Sequence, residues 1–204
     1  ANGAYHQLND DNSRLDIGFT TAKFGYANIS HNISFWIRLD STPSSGEKIV
    51  FFEGYDYKNM ELKVVSGGQL QFNIQSNDDW NGLDHDHEWR SYNLAANVSA
   101  LNDGEWHHVS FSFWTYSGTS GYNPGLPRSS HPDDSRNGWM DAYIDGDMVA
   151  STSVKVPNRW INFTAKFGSG FRMALADFQV WQTAQNVNDL IRNARQIDRW
   201  SNLI

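Results

Sequence analysis

The feature of this chain that most constrains its fold is a two-residue alternation of apolar and polar side chains. It is clearest at residues 60–65 and 70–74. Successive side chains of a β-strand point to opposite faces, so this period predicts strands with one face on a core and the other facing outward. Gly67 and Gly68 interrupt the two runs, and this arrangement predicts a β-hairpin.

The same alternation extends along most of the chain, with short turns at residues 102–104 and 145–146. Only the C-terminal stretch, around residues 187–191, has apolar residues at helical spacing. The sequence therefore predicts an all-β protein, a β-sandwich of two antiparallel sheets with a short C-terminal helix, in a single domain over residues 1–204. Further strands are predicted at residues 34–39, 48–52, 92–98, 106–114, 139–144, 148–156, 161–167 and 176–181.

Composition limits the classes of partner. The net charge is −7 and no run of Lys or Arg occurs, which argues against nucleic acid as a ligand. The chain has 0 Cys, so disulfides, thiol catalysis and cysteine metal sites are excluded. No apolar run is long enough to cross a bilayer, so membrane insertion is not expected. Because the chain begins at Ala1 rather than Met, we expect a secreted or cell-surface protein after signal-peptide removal, or a piece of a larger protein.

Two segments, residues 77–90 and 116–138, break the alternation and are long for connections in a compact domain. Successive connections of an antiparallel meander alternate between the two ends of a sheet. On this assumption both segments, together with residues 54–59, lie at one rim, and short turns such as 145–146 lie at the other. The sequence therefore predicts a single polar and aromatic rim where a ligand binds.

The phrase Asp84-His85-Asp86-His87-Glu88 is the candidate metal site. In an extended chain its three carboxylates point one way and its two imidazoles the other. The carboxylates predict Ca²⁺, which prefers hard oxygen ligands, whereas the imidazoles suit a transition metal. A third interpretation is a solvated loop or edge strand whose charges bind nothing specific.

Aromatic residues in predicted connections are candidates for ligand contact, namely Trp80, Trp89, Tyr122 and Trp160. An exposed indole can stack on the apolar C–H face of a sugar while its N–H donates a hydrogen bond. Asn123 can both donate to and accept from a hydroxyl, and Asp84 and Asp86 are further candidates for binding sugar hydroxyls. The alternative interpretation is that the aromatic side chains anchor their loops by burial and that the loop with Tyr122 and Asn123 is an insertion without a role.

Four phrases of the chain carry a family resemblance. They are S-F-W-I at 34–37, G-E-W-H-H-V at 104–109, Y-I-D-G at 143–146, and residues 175–181 with the helix predicted after them. They resemble, in the same order, phrases of laminin-G-like and pentraxin-like domains of the concanavalin A-like lectin/glucanase superfamily. The resemblance implies a jelly-roll sandwich. It also implies ligand or glycan binding, often with calcium, at loops on one rim or on the concave face.

The chain departs from these families at the calcium ligands. Pentraxins place acidic ligands before the closing strand, but residues 148–176 contain no Asp or Glu, so that site is not expected. Asp56 and Asn59 stand where these families supply another ligand pair. The paired acids of the superfamily's glycosidases, in an E-x-D-x-x-E arrangement, do not occur. The candidate Ca²⁺ ligands are therefore Asp56, Asn59, Asp84, Asp86 and Glu88.

These observations predict a carbohydrate-binding, lectin-like extracellular module without catalysis, with a glycan or glycoprotein as partner and Ca²⁺ as the candidate cofactor. A protein-binding cell-adhesion domain is the first alternative. The second is a polysaccharide lyase or glycoside hydrolase, which needs a His/Tyr/Arg or two-carboxylate cluster on the concave face. The strands offer only Asp141 and Tyr143 on one face and Arg38 elsewhere. His107 and His108 lie in a phrase that the family uses structurally, without an accompanying nucleophile or acid pair.

Overall fold

The computed structural model describes residues 5–8, 15–19, 31–54, 59–77, 87–115, 137–155, 163–168 and 170–181. These residues form twelve strands: β1 (Tyr5–Leu8), β2 (Leu15–Phe19), β3 (His31–Leu39), β4 (Lys48–Gly54), β5 (Met60–Val64), β6 (Gln69–Asn77), β7 (His87–Asn97), β8 (His107–Thr115), β9 (Asn137–Ile144), β10 (Asp147–Lys155), β11 (Phe163–Phe167) and β12 (Met173–Trp181). They make two antiparallel sheets. The first sheet has the order β1-β12-β3-β8-β9-β10, and the second sheet has the order β2-β11-β4-β5-β6-β7.

The core lies between the sheets and is lined by the apolar members of the alternating strands. Phe35 from β3 meets Phe167 from β11 edge to face, with ring centroids 5.1 Å apart. The ring centroid of Phe72 from β6 lies 4.5 Å from that of Phe111 from β8. All four side chains are fully buried, and burying a Phe stabilises the fold by roughly 2 kcal/mol. This packing fixes which side of each strand faces outward.

The connections lie at two opposite rims. Residues 40–47 and 98–106 cross between the sheets at one rim, which we call the lower rim, and the β9–β10 turn lies there too. The strand ends at Gly54, Asn77 and Thr115 lie at the opposite, upper rim. The prediction that the ends of β4, β6 and β8 lie at one rim, opposite the short turns, is therefore confirmed. The chain does cross from the second sheet to the first between β7 and β8, but that crossing spans the lower rim and keeps the alternation.

The structure adds strands that the sequence analysis did not predict. β1 and β2 are only 4 and 5 residues long, which is short for a recognisable pattern. β7 begins at His87, so Glu88 and Trp89, which we expected in a connection, lie in a strand, and Trp89 pairs with Gln75. The reason is that β6 continues to Asn77 and supplies ladder hydrogen bonds to a segment of polar composition.

The predicted C-terminal helix lies outside the described residues. In the part of the chain that the structure describes, no helix combines the length and the apolar character needed to cross a bilayer.

Candidate functional site

The outward side of the second sheet is built from the polar members of its alternating strands. Met60 and Leu62 of β5 and Phe72 of β6 point into the core, so the residues between them point away from it. The same holds for neighbouring strands, because paired residues of antiparallel strands share a face. We call this surface the amide face. Its described members are Asp16, Gly18, Lys48, Phe51, Glu53, Asn59, Glu61, Lys63, Gln71, Asn73, Gln75, Trp89, Ser91, Asn93, Thr164 and Lys166.

Hydrogen bonds hold the amides of this face in position. Asn59 donates from Nδ2 to Oε1 of Gln75 at 2.8 Å, and its Oδ1 accepts the backbone N–H of Gly54 at 3.1 Å. Gln71 donates from Nε2 to Oδ1 of Asn93 at 2.8 Å, in a pair that is exposed to solvent. An amide has more donors and acceptors than one hydrogen bond uses. The exposed pair Gln71 and Asn93 therefore keeps capacity for a hydroxyl ligand while its side chains are already oriented, whereas Gln75 is buried.

Trp89 is the exposed indole of the amide face. It lies directly opposite Gln75 in the β6–β7 ladder and is 41% exposed. Facing positions in such a ladder hold their Cβ atoms about 5 Å apart, so the indole and the amide share one patch. Among the described residues the other strongly exposed Trp is Trp181, at 44%, in β12 of the first sheet. Trp89 was predicted as a ligand contact in a loop, and the structure places it on a sheet face near the upper rim.

Glu61 is a buried carboxylate at the centre of the amide face, only 4% exposed. The Nζ atoms of Lys48 and Lys63 lie 2.9 Å and 3.2 Å from its oxygens, and Asn73 donates to it from Nδ2 at 2.8 Å. Burial raises the pKa of this carboxyl, but the hydrogen bonds from Lys48 and Asn73 outweigh burial and leave its pKa below the ordinary value. Glu61 therefore stays ionised. The other amide atom of Asn73, Oδ1, is buried without a hydrogen-bond partner in the described part of the chain.

The predicted calcium ligands are only partly described. Asn59 uses its Oδ1, the atom that would bind a cation, to accept the Gly54 hydrogen bond, and Glu88 lies in β7 opposite Ser76. Within the described ranges, no group of three or more His, Asp or Glu side chains is placed to hold a metal. A Ca²⁺ site at the upper rim stays a prediction. The predicted site residues outside the described ranges are Asp56, Trp80, Asp84, Asp86, Tyr122, Asn123 and Trp160.

The outward side of the first sheet holds the residues that the enzyme alternative would use. Asp141 and Tyr143 share one face of β9, as predicted, and the Tyr143 hydroxyl donates to Asp141 at 3.4 Å. Burial, together with this carboxylate, raises the pKa of Tyr143 to about 12, so the phenol stays protonated. Arg38 lies two strands away on β3 and donates from Nε to Asp40 at 2.8 Å. The three residues do not meet in one cluster.

His107 and His108 lie at the lower rim, away from the upper-rim end of the amide face. Nδ1 of His107 lies 2.7 Å from Asp145, and Nε2 lies 2.9 Å from Asp103. The hydrogen bond to Asp145, reinforced by that to Asp103, raises the pKa of His107 to about 8. His108 is 2% exposed beside the ring of Trp36, and burial lowers its pKa to about 4. Both histidines therefore have structural contacts, which agrees with the role expected for them.

Two antiparallel sheets facing each other across one core define a β-sandwich. Residues 11–190 match the family model Laminin_G_3, described as concanavalin A-like lectin/glucanases superfamily. The chain therefore belongs to this laminin-G family. No curated protein sequence matches the chain.

Solved structures share this fold. The receptor-binding domain of botulinum neurotoxin D matches with a TM-score of 0.59 and 14% identity, over 93% of this chain and 43% of that chain. The botulinum neurotoxin serotype D ligand-binding domain in complex with N-acetylneuraminic acid matches with a TM-score of 0.58 and 13% identity, over 95% and 42%. A heptameric SAP-like pentraxin from Limulus polyphemus matches with a TM-score of 0.50 and 14% identity, over 92% and 77%. The chain thus spans less than half the length of these toxin chains.

Proposed function

We propose that the chain is a carbohydrate-binding, lectin-like extracellular module and that the amide face is its binding surface. The observation behind this proposal is the position of Trp89, exposed and directly opposite Gln75 on a face lined with amides. A sugar ring has apolar C–H faces and polar hydroxyls, so an indole beside amides matches both parts of the ring. The proposal includes no catalytic step.

The comparisons support ligand binding at the level of the fold. Two of the similar structures are a receptor-binding domain and a ligand-binding domain, the latter in complex with N-acetylneuraminic acid. Those ligands are ligands of those proteins. Sequence identities of 14% and 13% show that the two structures share a fold with this chain, and they do not show a shared ligand. Glycan binding by this chain, and its place outside the cell, are parts of the proposal.

The charges of the amide face support binding rather than hydrolysis. A glycoside hydrolase needs one carboxyl group whose raised pKa lets it donate a proton. Glu53 and Glu61 lie on neighbouring strands of this face, but Lys166 lies 2.6 Å from Glu53 and the pKa of Glu61 is lowered. Each carboxylate is therefore arranged as the partner of a lysine.

We propose Ca²⁺ as a cofactor at the upper rim, supported by the acidic phrase that contains Asp84, Asp86 and Glu88. Thermal melts with CaCl₂, and with EDTA as control, test this part alone. A cation that binds only the folded protein, present at 100 times its Kd, stabilises the fold by roughly 2.7 kcal/mol. A rise in Tm that EDTA reverses supports Ca²⁺ as a cofactor. An unchanged Tm contradicts the cofactor and leaves the proposal for the amide face unaffected.

A glycan array probed with a multimerised form of the protein tests the function, because multivalent display raises the avidity of weak single sites. The two variants to compare are Trp89→Ala and Trp181→Ala, which remove equally exposed indoles from opposite sheets. We expect the protein to bind a defined set of glycans and Trp89→Ala to bind them about tenfold more weakly. This is a loss of about 1.4 kcal/mol of binding free energy, which is typical of an aromatic contact. Trp181→Ala should bind like the unaltered protein.

Two results would contradict the proposal. One is the absence of binding to any glycan, which would favour the protein-binding alternative. The other is glycan binding that Trp181→Ala weakens and Trp89→Ala does not, which would place the site on the first sheet.

A further inference from the structure

We infer that the amide face selects neutral, hydroxyl-rich glycans over glycans that carry a carboxylate or sulfate. This inference rests on the proposed function and specifies the ligand class of that same site. Three observations support it, and they concern the lysines, the arginine and the amides of the described second sheet.

Every lysine of the described amide face lies against a carboxylate. Lys48 and Lys63 lie 2.9 Å and 3.2 Å from the oxygens of Glu61, and Lys166 lies 2.6 Å from Glu53. Lys48 and Lys63 share the carboxylate of Glu61, so an anionic ligand would have to compete with Glu61 or Glu53 for each ammonium group. The lysines are therefore poor sites for a ligand carboxylate.

Arginine is the residue that best recognises a carboxylate or sulfate, because its planar guanidinium forms two parallel hydrogen bonds. The described strands of the second sheet contain one arginine, Arg90. It stands opposite Ile74 in the β6–β7 ladder, and Ile74 belongs to the core, so Arg90 lies on the inward side of the sheet. The outward side offers no guanidinium among its described members.

The amides favour a ligand that both donates and accepts hydrogen bonds. Gln71 and Asn93 form an exposed pair, and a pair of amides joined by one hydrogen bond retains both donors and acceptors. A sugar hydroxyl can use both kinds of atom, whereas a carboxylate or sulfate can only accept. The hydrogen-bonding capacity of the face therefore matches neutral hydroxyls.

Isothermal titration calorimetry with a matched pair of oligosaccharides tests the inference. One member is a neutral glycan selected on the array, and the other is the same glycan extended by one sialic acid. At 50 and 500 mM NaCl (arbitrary assay concentrations) we expect the neutral glycan to bind at least about tenfold more tightly, with a Kd that changes less than about twofold with salt. Tighter binding of the acidic glycan, weakened by salt, would overturn the inference.

The variant Glu61→Gln sharpens the test, because it leaves Lys48 and Lys63 without their carboxylate. We expect it to gain binding of the sialylated glycan at 50 mM NaCl and to lose that gain at 500 mM. Glu105→Gln is the matched control, since it removes the same charge from an exposed position in residues 98–106, which cross between the sheets at the lower rim. A folded Glu61→Gln protein that gains nothing would contradict the role assigned to the lysine pairs.

The two possible failures are distinguishable. If the protein binds a glycan through Trp89 but prefers the acidic form, the inference fails and the proposed function stands. If Trp89→Ala does not weaken glycan binding, the proposed site fails first. Should Glu61→Gln not fold, the salt dependence measured on the unaltered protein decides the question by itself.

Discussion

The carboxylate of Asp145 joins two neighbouring strands through both of its oxygens. One oxygen lies 2.7 Å from Nδ1 of His107, and the other accepts the backbone N–H of His108 at 2.8 Å. Asp145 adopts the positive φ of 53° in the turn between β9 and β10. This relationship ties the crossing from the second sheet to the first into the β9–β10 hairpin. Asp145 raises the pKa of His107, whereas burial lowers the pKa of His108.

The stability contributed by His107 should disappear at alkaline pH. Its pKa rises from 6.5 to about 8 on folding, so its contribution is complete below about pH 6.5 and is lost as pH rises through 8. Because the two carboxylates that it contacts are half exposed, we expect a contribution of about 1 kcal/mol rather than the roughly 2 kcal/mol of the full shift. Urea unfolding of the wild type and His107→Gln should show a stability difference that shrinks between pH 6.5 and 8.5. A constant difference would contradict this account.

His108 should act in the opposite direction. Its pKa falls from 6.5 to about 4 on folding, so its contribution is complete above about pH 6.5 and is lost as pH falls toward 4. The wild type should therefore lose on the order of 2–3 kcal/mol more stability than His108→Gln between pH 6.5 and 4. His6, which is exposed in β1, provides the control, and His6→Gln should follow the wild-type curve. Parallel acid curves for the wild type and His108→Gln would show that this imidazole is not desolvated.

Asn32 and Asn97 each begin an N-x-S glycosylation sequon, and the fold places the two in different environments. Asn32 is fully buried in β3 and donates from Nδ2 to the hydroxyls of Ser110 and Ser112 at 2.8 Å and 2.9 Å. Asn97 is exposed at the end of β7. A glycan on Nδ2 of Asn32 would remove these hydrogen bonds and open the sheet. In protein secreted from a glycosylating host, peptide mapping should find folded material modified at Asn97 and unmodified at Asn32. Folded material with a glycan on Asn32 would contradict the packing of β3.

The sequence predicts most strands because alternation is a local property. The hairpin around Gly67 and Gly68 is confirmed, with Val64 paired to Leu70. The start of β7 could not be predicted in this way, because its polar residues are extended by pairing with β6 rather than by their own pattern. That pairing is long-range information, and it moves Trp89 from an expected loop to a sheet face.

The amide face was only partly readable from the sequence. Gln71 and Asn73 occupy outward positions of a predicted strand. Their amide side chains, in place of the usual charged ones, are the sequence feature that distinguishes this face. The contacts of Glu61 with Lys48 and Asn73 depend on the order of β4, β5 and β6 in the sheet, which no local pattern encodes. The resemblance to laminin-G-like domains predicted the fold correctly but did not select this face among the possible sites.

The most direct test of the central claim is an NMR titration of ¹⁵N-labelled protein with a glycan selected on the array. We expect the largest shifts at the backbone amides of Gln71, Gln75 and Ser91 and at the indole N–H of Trp89, with the indole N–H of Trp181 unchanged. Shifts confined to the outward side of the first sheet, around Trp181 and Trp139, with the amide face unmoved, would contradict the assignment of the binding surface.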